Sequence, residues 1–271
     1  MRTPFNYFAP ETLSDAHELL EKHGERAEIL AGGTDLLVDI RNDMKQPDAV
    51  IDIKNIEELN GVEFDSDDGL IINAAATCTE VSSHTVVRDR YPFIVEATSE
   101  LASHQVRNRA TVVGNICNAS PCADAARPLL CLDASVEISS LQNKRTLPLE
   151  EFITGVKQND LAPGELVERV RVPVEMADAR GSNRKLKRIK GHDLSLASVT
   201  MVKTDAETRV SIGACGPTPV VLTGFDASTD VDELCSAAEE AISPIDDVRS
   251  TAEYRNFMIK QYIRELDEEL S

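Results

Sequence analysis

The sequence predicts an α+β fold, with helices and strands alternating in the N-terminal part and strands preceding helices in the C-terminal part. Two observations support this class. Within the first 53 residues, a helix, a strand, a glycine turn, a helix and a strand follow one another. Between 194 and 222 three strand-like segments occur, and two acidic helical segments follow them. Runs of strands followed by helices are typical of α+β domains.

The N-terminal part opens with a predicted helix at 12–23. Ser14 can cap its start, and Gly24 can end it. The next elements are a strand, a helix and a strand at 28–30, 36–41 and 49–53.

A predicted hairpin at 61–77 leads into the middle of the chain, with an acidic turn that closes at Gly69. Residues 107–118 form a polar, glycine-containing stretch without a predicted helix, and 148–152 starts a short turn. We predict helices at 79–88, 93–102 and 124–132, and strands at 135–138, 144–147 and 165–172.

A domain boundary is predicted within residues 174–184, which are polar and include Gly181 and Ser182. We therefore divide the chain into domains 1–175, with subdomains of about 1–57 and 58–175, and 176–271. The C-terminal domain is expected to be an antiparallel sheet with helices: strands at 194–203, 209–215 and 219–222, then helices at 231–241 and 251–270.

The chain is strongly acidic, with 47 Asp and Glu against 28 Lys and Arg and a net charge of -19. Such a surface repels nucleic acids and anionic membranes, so we expect neither as a partner. Salt screens self-repulsion, which favours adaptation to high salt. The alternative is an acidic protein without that adaptation.

The sequence predicts a cytoplasmic protein. No apolar run approaches the roughly 20 residues of a membrane helix. The segment 1–5 has no feature of a secretory signal.

Six cysteines are present, and none forms a C-x-x-C pair. Cys117, Cys122 and Cys131 lie close in sequence, but their spacing fits no usual metal or iron–sulfur pattern. We therefore interpret them as small buried apolar residues and predict no metal site.

The first candidate site is the glycine turn, formed by Ala31, Gly32, Gly33, Thr34 and Asp35. Two adjacent glycines let the backbone approach a ligand closely. Their amides, the Thr34 hydroxyl and the N-terminus of the helix from Leu36 suit a pyrophosphate. The turn lacks the third glycine of a Rossmann fingerprint and the lysine of a P-loop, so a plain strand-to-helix turn is the alternative.

A second candidate is the polar stretch 107–124, whose donors and acceptors include Thr111, Asn115, Ser120 and Asp124. Polar groups in a buried stretch must bond to one another or to a ligand. Asp124 can accept a hydrogen bond from a ribose or ribitol hydroxyl. An internally bonded connector is the alternative.

A third candidate is the basic span 180–190, which can lower the cost of holding a diphosphate or form a solvated strand at a subunit interface. No catalytic motif accompanies these three candidates. The five histidines are scattered and expected mostly at the surface, with His104 structural. We therefore predict no catalytic residue and expect a cofactor to supply the chemistry.

Several motifs along the chain together resemble one family. They are Phe5-Asn6-Tyr7-Phe8-Ala9-Pro10-Glu11-Thr12-Leu13, Ala31-Gly32-Gly33-Thr34-Asp35-Leu36, Thr111-Val112-Val113-Gly114-Asn115-Ile116, Asn118-Ala119-Ser120-Pro121 with Asp124, Gly216-Pro217-Thr218-Pro219 and Ala252-Glu253-Tyr254-Arg255. The family is the FAD-binding (medium) subunit of the molybdenum hydroxylases, which include xanthine dehydrogenase and aerobic carbon monoxide dehydrogenase.

The resemblance implies a PCMH-type FAD domain of two subdomains, with the glycine turn and the second loop on the FAD diphosphate. It places Asp124 at the ribitol or ribose, and Leu166 and Lys185 near the flavin. The implied cofactor contacts are Ala31, Gly32, Gly33, Thr34, Asp35, Leu36, Thr111, Gly114, Asn115, Ser120, Asp124, Leu166 and Lys185.

The resemblance also implies partners. They are a large subunit with the molybdenum cofactor and a small subunit with 2Fe–2S clusters. Electrons would pass from those clusters through FAD to NAD or another acceptor. The alternatives are a stand-alone FAD-dependent oxidase and a scaffold subunit without flavin.

One position departs from the family pattern, because Val113 replaces the first glycine of T-I-G-G-N. A β-branched side chain disfavours a positive φ. Either the backbone at 113 is ordinary in this chain, or the loop is shifted.

Overall fold

The computed structural model describes residues 4–271, so the first three residues of the predicted N-terminal segment lie outside the described part. The predicted α+β class is confirmed. Within the described residues, no helix is long and apolar enough to cross a membrane.

The first unit is a three-stranded parallel sheet in the order β1-β3-β2, with α1 packed against it. β3 is buried along its whole length, and Ala16 and Leu20 of α1 join the core. Its elements are β1 (Asn6–Phe8), α1 (Leu13–His23), β2 (Ala27–Leu30), α2 (Leu36–Arg41) and β3 (Ala49–Asp52).

The predicted cap of α1 is wrong. The helix begins at Leu13, and the Thr12 hydroxyl accepts a hydrogen bond from the Asp15 amide at 3.1 Å. Ser14 already lies inside the first turn, where its hydroxyl cannot cap the helix.

The second unit is a five-stranded antiparallel sheet in the order β4-β5-β10-β6-β7, covered by short helices. Its elements are β4 (Val62–Asp65), β5 (Gly69–Asn73), α3 (Cys78–Ser83), α4 (Thr85–Arg90), α5 (Pro92–Ser99), α6 (His104–Arg107), α7 (Val112–Cys117), α8 (Ala126–Cys131), β6 (Ser135–Ser139), β7 (Lys144–Pro148), α9 (Leu149–Phe152), β8 (Ile153–Gly155), β9 (Gln158–Asn159) and β10 (Leu166–Val172).

Three expectations for this unit are corrected. The helix predicted at 79–88 is two helices, because His84 takes an extended conformation between α3 and α4. The stretch 107–118 is not a plain loop, since it holds the end of α6 and all of α7. The turn at 148–152 contains the short helix α9.

The third unit is a four-stranded antiparallel sheet in the order β11-β12-β13-β14, with two helices on one face. β12 is buried throughout, because α11 covers one side and helices α5 and α8 pack against the sheet from the second unit. The elements are β11 (Arg180–Leu186), β12 (Ala197–Lys203), β13 (Glu207–Gly213), β14 (Val220–Asp226), α10 (Val231–Ala241) and α11 (Ala252–Leu270).

The segment 174–184, in which we predict a domain boundary, overlaps β11, which begins at Arg180. Gly181 pairs with Val202 in β12 and lies on Phe93 of α5. A Cβ at this position would sit 2.7 Å from the Phe93 Cδ1 atom. Because Gly181 has no side chain, β11 can approach the Phe93 ring closely.

We predict that Gly181→Ala destabilises the protein by about 1–3 kcal/mol, because the added methyl overpacks the contact with Phe93. Urea unfolding measures the change. Gly216→Ala is the control, since its nearest neighbour, the Thr218 carbonyl oxygen, would lie at 3.4 Å. Equal stability of the two variants would contradict the packed position of Gly181.

Candidate functional site

The glycine turn lies between the end of β2 and the start of α2. Gly33 has a φ of 72°, a conformation that favours glycine. The first helical hydrogen bond across the turn joins the Leu37 amide to the Gly33 carbonyl at 3.2 Å. The four amides from Gly32 to Asp35 donate no hydrogen bond to any residue among 4–271. Successive unpaired amides of this kind form a concave binding site for an anion.

Gly32 lies against the backbone of the second unit. A Cβ at Gly32 would lie 2.2 Å from the Arg109 carbonyl oxygen and 2.8 Å from the Ala110 Cα. No side chain fits in that space, so the backbones of the two predicted loops meet directly. The structure therefore brings the glycine turn and the second loop together, as the sequence predicts for two halves of one site.

The second loop is held on α3 by backbone hydrogen bonds. The Cys78 amide donates to the Ala110 carbonyl at 2.8 Å, and the Val112 amide donates to the Ala76 carbonyl at 3.3 Å. These bonds fix the chain immediately before α7.

Thr111 is the N-cap of α7, and its hydroxyl accepts a hydrogen bond from the Gly114 amide at 2.9 Å. A Cβ at Gly114 would lie 2.6 Å from that hydroxyl oxygen, so the glycine leaves room for the cap. The loop therefore leads into the N-terminal end of α7, where the Val113 amide has no hydrogen-bond acceptor among residues 4–271.

Val113 resolves the alternative left open by the sequence. It lies in the first turn of α7, is buried, and is absent from the residues with positive φ. A valine is compatible with helical backbone, so the backbone at this position is ordinary.

Internal hydrogen bonds use part of the polar stretch that follows. The Asn115 Oδ1 accepts from the Ala125 amide at 3.1 Å, and the Ser120 Oγ accepts from the Cys122 amide at 3.2 Å. The side-chain NH2 group of Asn115 and the Ser120 hydroxyl have no acceptor among residues 4–271 and remain free to donate. The stretch is thus partly an internally bonded connector, and it retains donors for a ligand.

Asp124 is buried and paired with two cations. Its Oδ1 lies 3.1 Å from the Arg127 Nη2, and its Oδ2 lies 2.8 Å from the Lys185 Nζ. Lys185 also donates to the Glu100 carbonyl at 3.0 Å. Asp124 therefore links the second loop to β11 of the C-terminal sheet.

Arg127 is a central residue that the sequence interpretation missed. Its side chain is 1% exposed, and it donates to the Asn183 Oδ1, which also accepts from the Thr200 hydroxyl at 2.8 Å. An arginine among Ala125, Ala126, Pro128 and Leu129 was the available signal, since a buried charge requires a partner.

Several cations of the basic span 180–190 are paired within the chain. Lys187 pairs with Glu100, Arg184 with Glu269, and Arg188 with Asp193. These cations are already neutralised by carboxylates of the same chain.

Leu166 and Lys185 differ from the other predicted contacts. Leu166 is 1% exposed and belongs to the core beneath the loops. Lys185 is buried on Asp124. Their predicted positions near the flavin rest on the resemblance alone.

The cysteines and histidines differ in burial. Cys131 is buried, whereas Cys117 and Cys122 are half-buried. Burial raises the pKa of Cys117 and of Cys131 to about 12, which disfavours the thiolate. His17 is buried rather than exposed as expected, with its Nε2 2.9 Å from the Ser139 Oγ, and burial lowers its pKa.

These features fit the diphosphate of FAD. The glycine turn has four unpaired amides, and its backbone contacts Arg109 and Ala110, just before α7. The unpaired amides are donors of the kind that bind phosphate oxygens.

Comparisons with known proteins agree with this geometry. The family model described as "FAD binding domain in molybdopterin dehydrogenase" matches residues 3–175. The xanthine dehydrogenase FAD-binding subunit of Escherichia coli O157:H7 is 30% identical over 269 residues, covering 94% of this chain and 92% of that protein. The carbon monoxide dehydrogenase medium chain of Hydrogenophaga pseudoflava is 28% identical and covers 96% and 94%.

A solved structure gives the same result. Carbon monoxide dehydrogenase from Hydrogenophaga pseudoflava, in a form lacking the Mo-pyranopterin moiety, has a chain that superposes with a TM-score of 0.91 at 28% identity. The match covers 100% of this chain and 98% of that chain. The comparisons confirm the family that the motifs indicate.

We predict that Asp124→Ala lowers the free energy of unfolding by about 3–5 kcal/mol, because it leaves the buried Arg127 and Lys185 without their carboxylate. Asp178→Ala is the control, since Asp178 is 99% exposed and pairs with Arg90 at 3.8 Å. Its removal should change stability by less than about 0.5 kcal/mol. Chemical denaturation compares the two, and equal losses would contradict the role of the buried pairs.

Proposed function

This chain belongs to the family of FAD-binding domains of molybdopterin dehydrogenases, with FAD as its cofactor, and we propose that it is the electron-transfer subunit of a molybdenum hydroxylase complex. The partners would be a large subunit with the molybdenum cofactor and a small subunit with 2Fe–2S clusters. When bound, FAD would supply the redox chemistry, taking electrons from the clusters and passing them to NAD or another acceptor.

The observation that carries the proposal is the contact of Gly32 with the backbone of Arg109 and Ala110. It joins the amides of the glycine turn to the N-terminal end of α7. We propose that these two groups hold the FAD diphosphate. The residues involved would be Ala31, Gly32, Gly33, Thr34, Asp35, Leu36, Thr111, Gly114, Asn115 and Ser120.

Asp124 can contribute without losing its ion pairs. A carboxylate offers about four lone-pair sites, and the hydrogen bonds from Arg127 and Lys185 occupy two of them. The remaining sites can accept hydrogen bonds from ribitol or ribose hydroxyls. Because both cations are held by the fold, they would keep this carboxylate oriented.

The protein's own groups would therefore bind and orient rather than transfer protons. We assign no catalytic residue, and we expect the chain to be inactive on substrate by itself. The scaffold alternative depended on Val113, and the helical position of that residue removes its support.

Two further proposals concern salt adaptation and location. A net charge of -19 favours a protein adapted to high salt, and we propose a cytoplasmic location for the complex. We also keep the division into domains 1–175 and 176–271 as a proposal.

We predict that the purified chain contains about one FAD per chain and that Gly32→Val, through its clash with the Arg109 carbonyl, removes it. Absorbance of flavin released on denaturation measures the content, and circular dichroism checks the fold. Gly216→Val is the control and should keep its FAD, because a Cβ at Gly216 would have its nearest neighbour at 3.4 Å. A folded Gly32→Val variant with full flavin content would contradict the proposed site.

We predict that raising KCl from about 0.1 M to about 2 M raises the melting temperature, because screening reduces repulsion among the excess carboxylates. Differential scanning fluorimetry at constant pH measures it, with sucrose of equal osmolality as the control. A melting temperature that stays constant or falls with KCl would contradict salt adaptation.

A further inference from the structure

Lys54 lies against the first residue of the glycine turn. Its ammonium Nζ donates a hydrogen bond to the Ala31 carbonyl at 3.1 Å and pairs with the Asp52 Oδ1 at 2.6 Å. The contact crosses from the end of β3 to the end of β2, so no sequence motif contains it.

The orientation of the turn follows from that hydrogen bond. In a planar trans peptide, the carbonyl and the amide point in opposite directions. The carbonyl of Ala31 faces Lys54, so the amide of Gly32 faces away from it. That amide is the first of the four unpaired donors in the turn.

Asp52 holds the lysine in place. This buried carboxylate accepts hydrogen bonds from the Tyr7 hydroxyl at 2.7 Å and from the Lys54 amide at 3.1 Å, besides the ammonium. Burial acts to raise the pKa of Asp52, but the hydrogen bonds from Lys54 and Tyr7 outweigh it and hold the pKa below its ordinary value. A lysine fixed in this way has already lost the side-chain freedom that a surface lysine keeps.

The neighbouring backbone is fixed as well. The Ile53 amide donates to the Leu30 carbonyl at 3.1 Å, so the consecutive carbonyls of Leu30 and Ala31 accept bonds from residues 53 and 54. β3 and the segment after it thus support the turn from behind.

We propose that Lys54 is a positioning residue of the FAD site, which holds the Ala31–Gly32 peptide with its amide toward the diphosphate. The inference rests on the proposed placement of the diphosphate on the glycine turn. The ammonium lies on the carbonyl side of this peptide, so it acts through the backbone and does not touch the phosphates.

The test compares Lys54→Met with Lys45→Met in the full chain. Lys45 pairs with Glu28 on β2 and lies 44% exposed, so its loss should leave flavin binding unchanged. FAD and riboflavin are titrated into the flavin-free proteins and followed by flavin fluorescence. We expect Lys54→Met to weaken FAD about tenfold, the effect of one hydrogen bond from a charged donor. Riboflavin, which has no diphosphate, should bind as before, and Lys54→Arg should restore most of the FAD affinity.

The salt dependence of FAD binding separates positioning from direct contact. A positioning residue leaves the slope of affinity against salt unchanged, whereas loss of a phosphate contact reduces it. Unchanged FAD affinity in Lys54→Met, equal loss for riboflavin, or a reduced salt slope would each overturn the proposal.

If Lys54→Met does not fold, Tyr7→Phe tests the same support through Asp52. We expect it to weaken FAD about threefold and riboflavin not at all, and unchanged FAD binding would overturn the proposal.

The failure of the underlying placement would look different. If the diphosphate does not lie on the glycine turn, the Gly32→Val variant keeps its FAD. If it does, and Lys54 positions the turn, Gly32→Val loses FAD and Lys54→Met has a lower FAD affinity.

Discussion

Gly32 meets the backbone of Arg109 and Ala110 at a distance that admits no side chain. This contact joins the parallel sheet of the first unit to the helical layer of the second. The contact places the glycine turn, with its unpaired amides, beside the residues that lead into α7. Separating the two backbones by even one methyl group would part the two halves of the site, since packed interiors do not stretch to accommodate added volume.

Electrostatics extends the site to the third unit. Asp124 follows the second loop, and its two oxygens accept from Arg127 and from Lys185 of β11. Arg127 also donates a hydrogen bond to Asn183 of β11, which accepts another from Thr200 of β12. Buried polar groups therefore connect α8 with two strands of the C-terminal sheet. In a chain with a net charge of -19, these cations are held by carboxylates and carbonyls of the same chain. The second loop is thereby fixed from both sides, by α3 through Ala110 and by β11 through Asp124.

Local sequence signals predicted much of this arrangement. The paired glycines predicted the turn, and the run from Thr111 to Asn115 predicted the second loop. Apolar patterns predicted most helices and strands. The missed features have a common physical origin. The helix α7 has no recognisable sequence pattern, because it is only six residues long and includes a glycine. Arg127 and Lys54 act through partners far away in sequence, such as Asn183 and Ala31, so their roles appear only once the chain is folded. Gly181 indicated a domain boundary, whereas in the structure it allows close packing on Phe93.

The central claim is that the glycine turn and the start of α7 together hold the FAD diphosphate. A crystal structure of the chain purified with its flavin tests it most directly. We expect hydrogen bonds of about 2.9 Å from the amides of Gly32 and Gly33 to one phosphate group, with Thr111 and Gly114 beside the same diphosphate. A diphosphate bound elsewhere, with the amides from Gly32 to Asp35 still unpaired, would contradict the account.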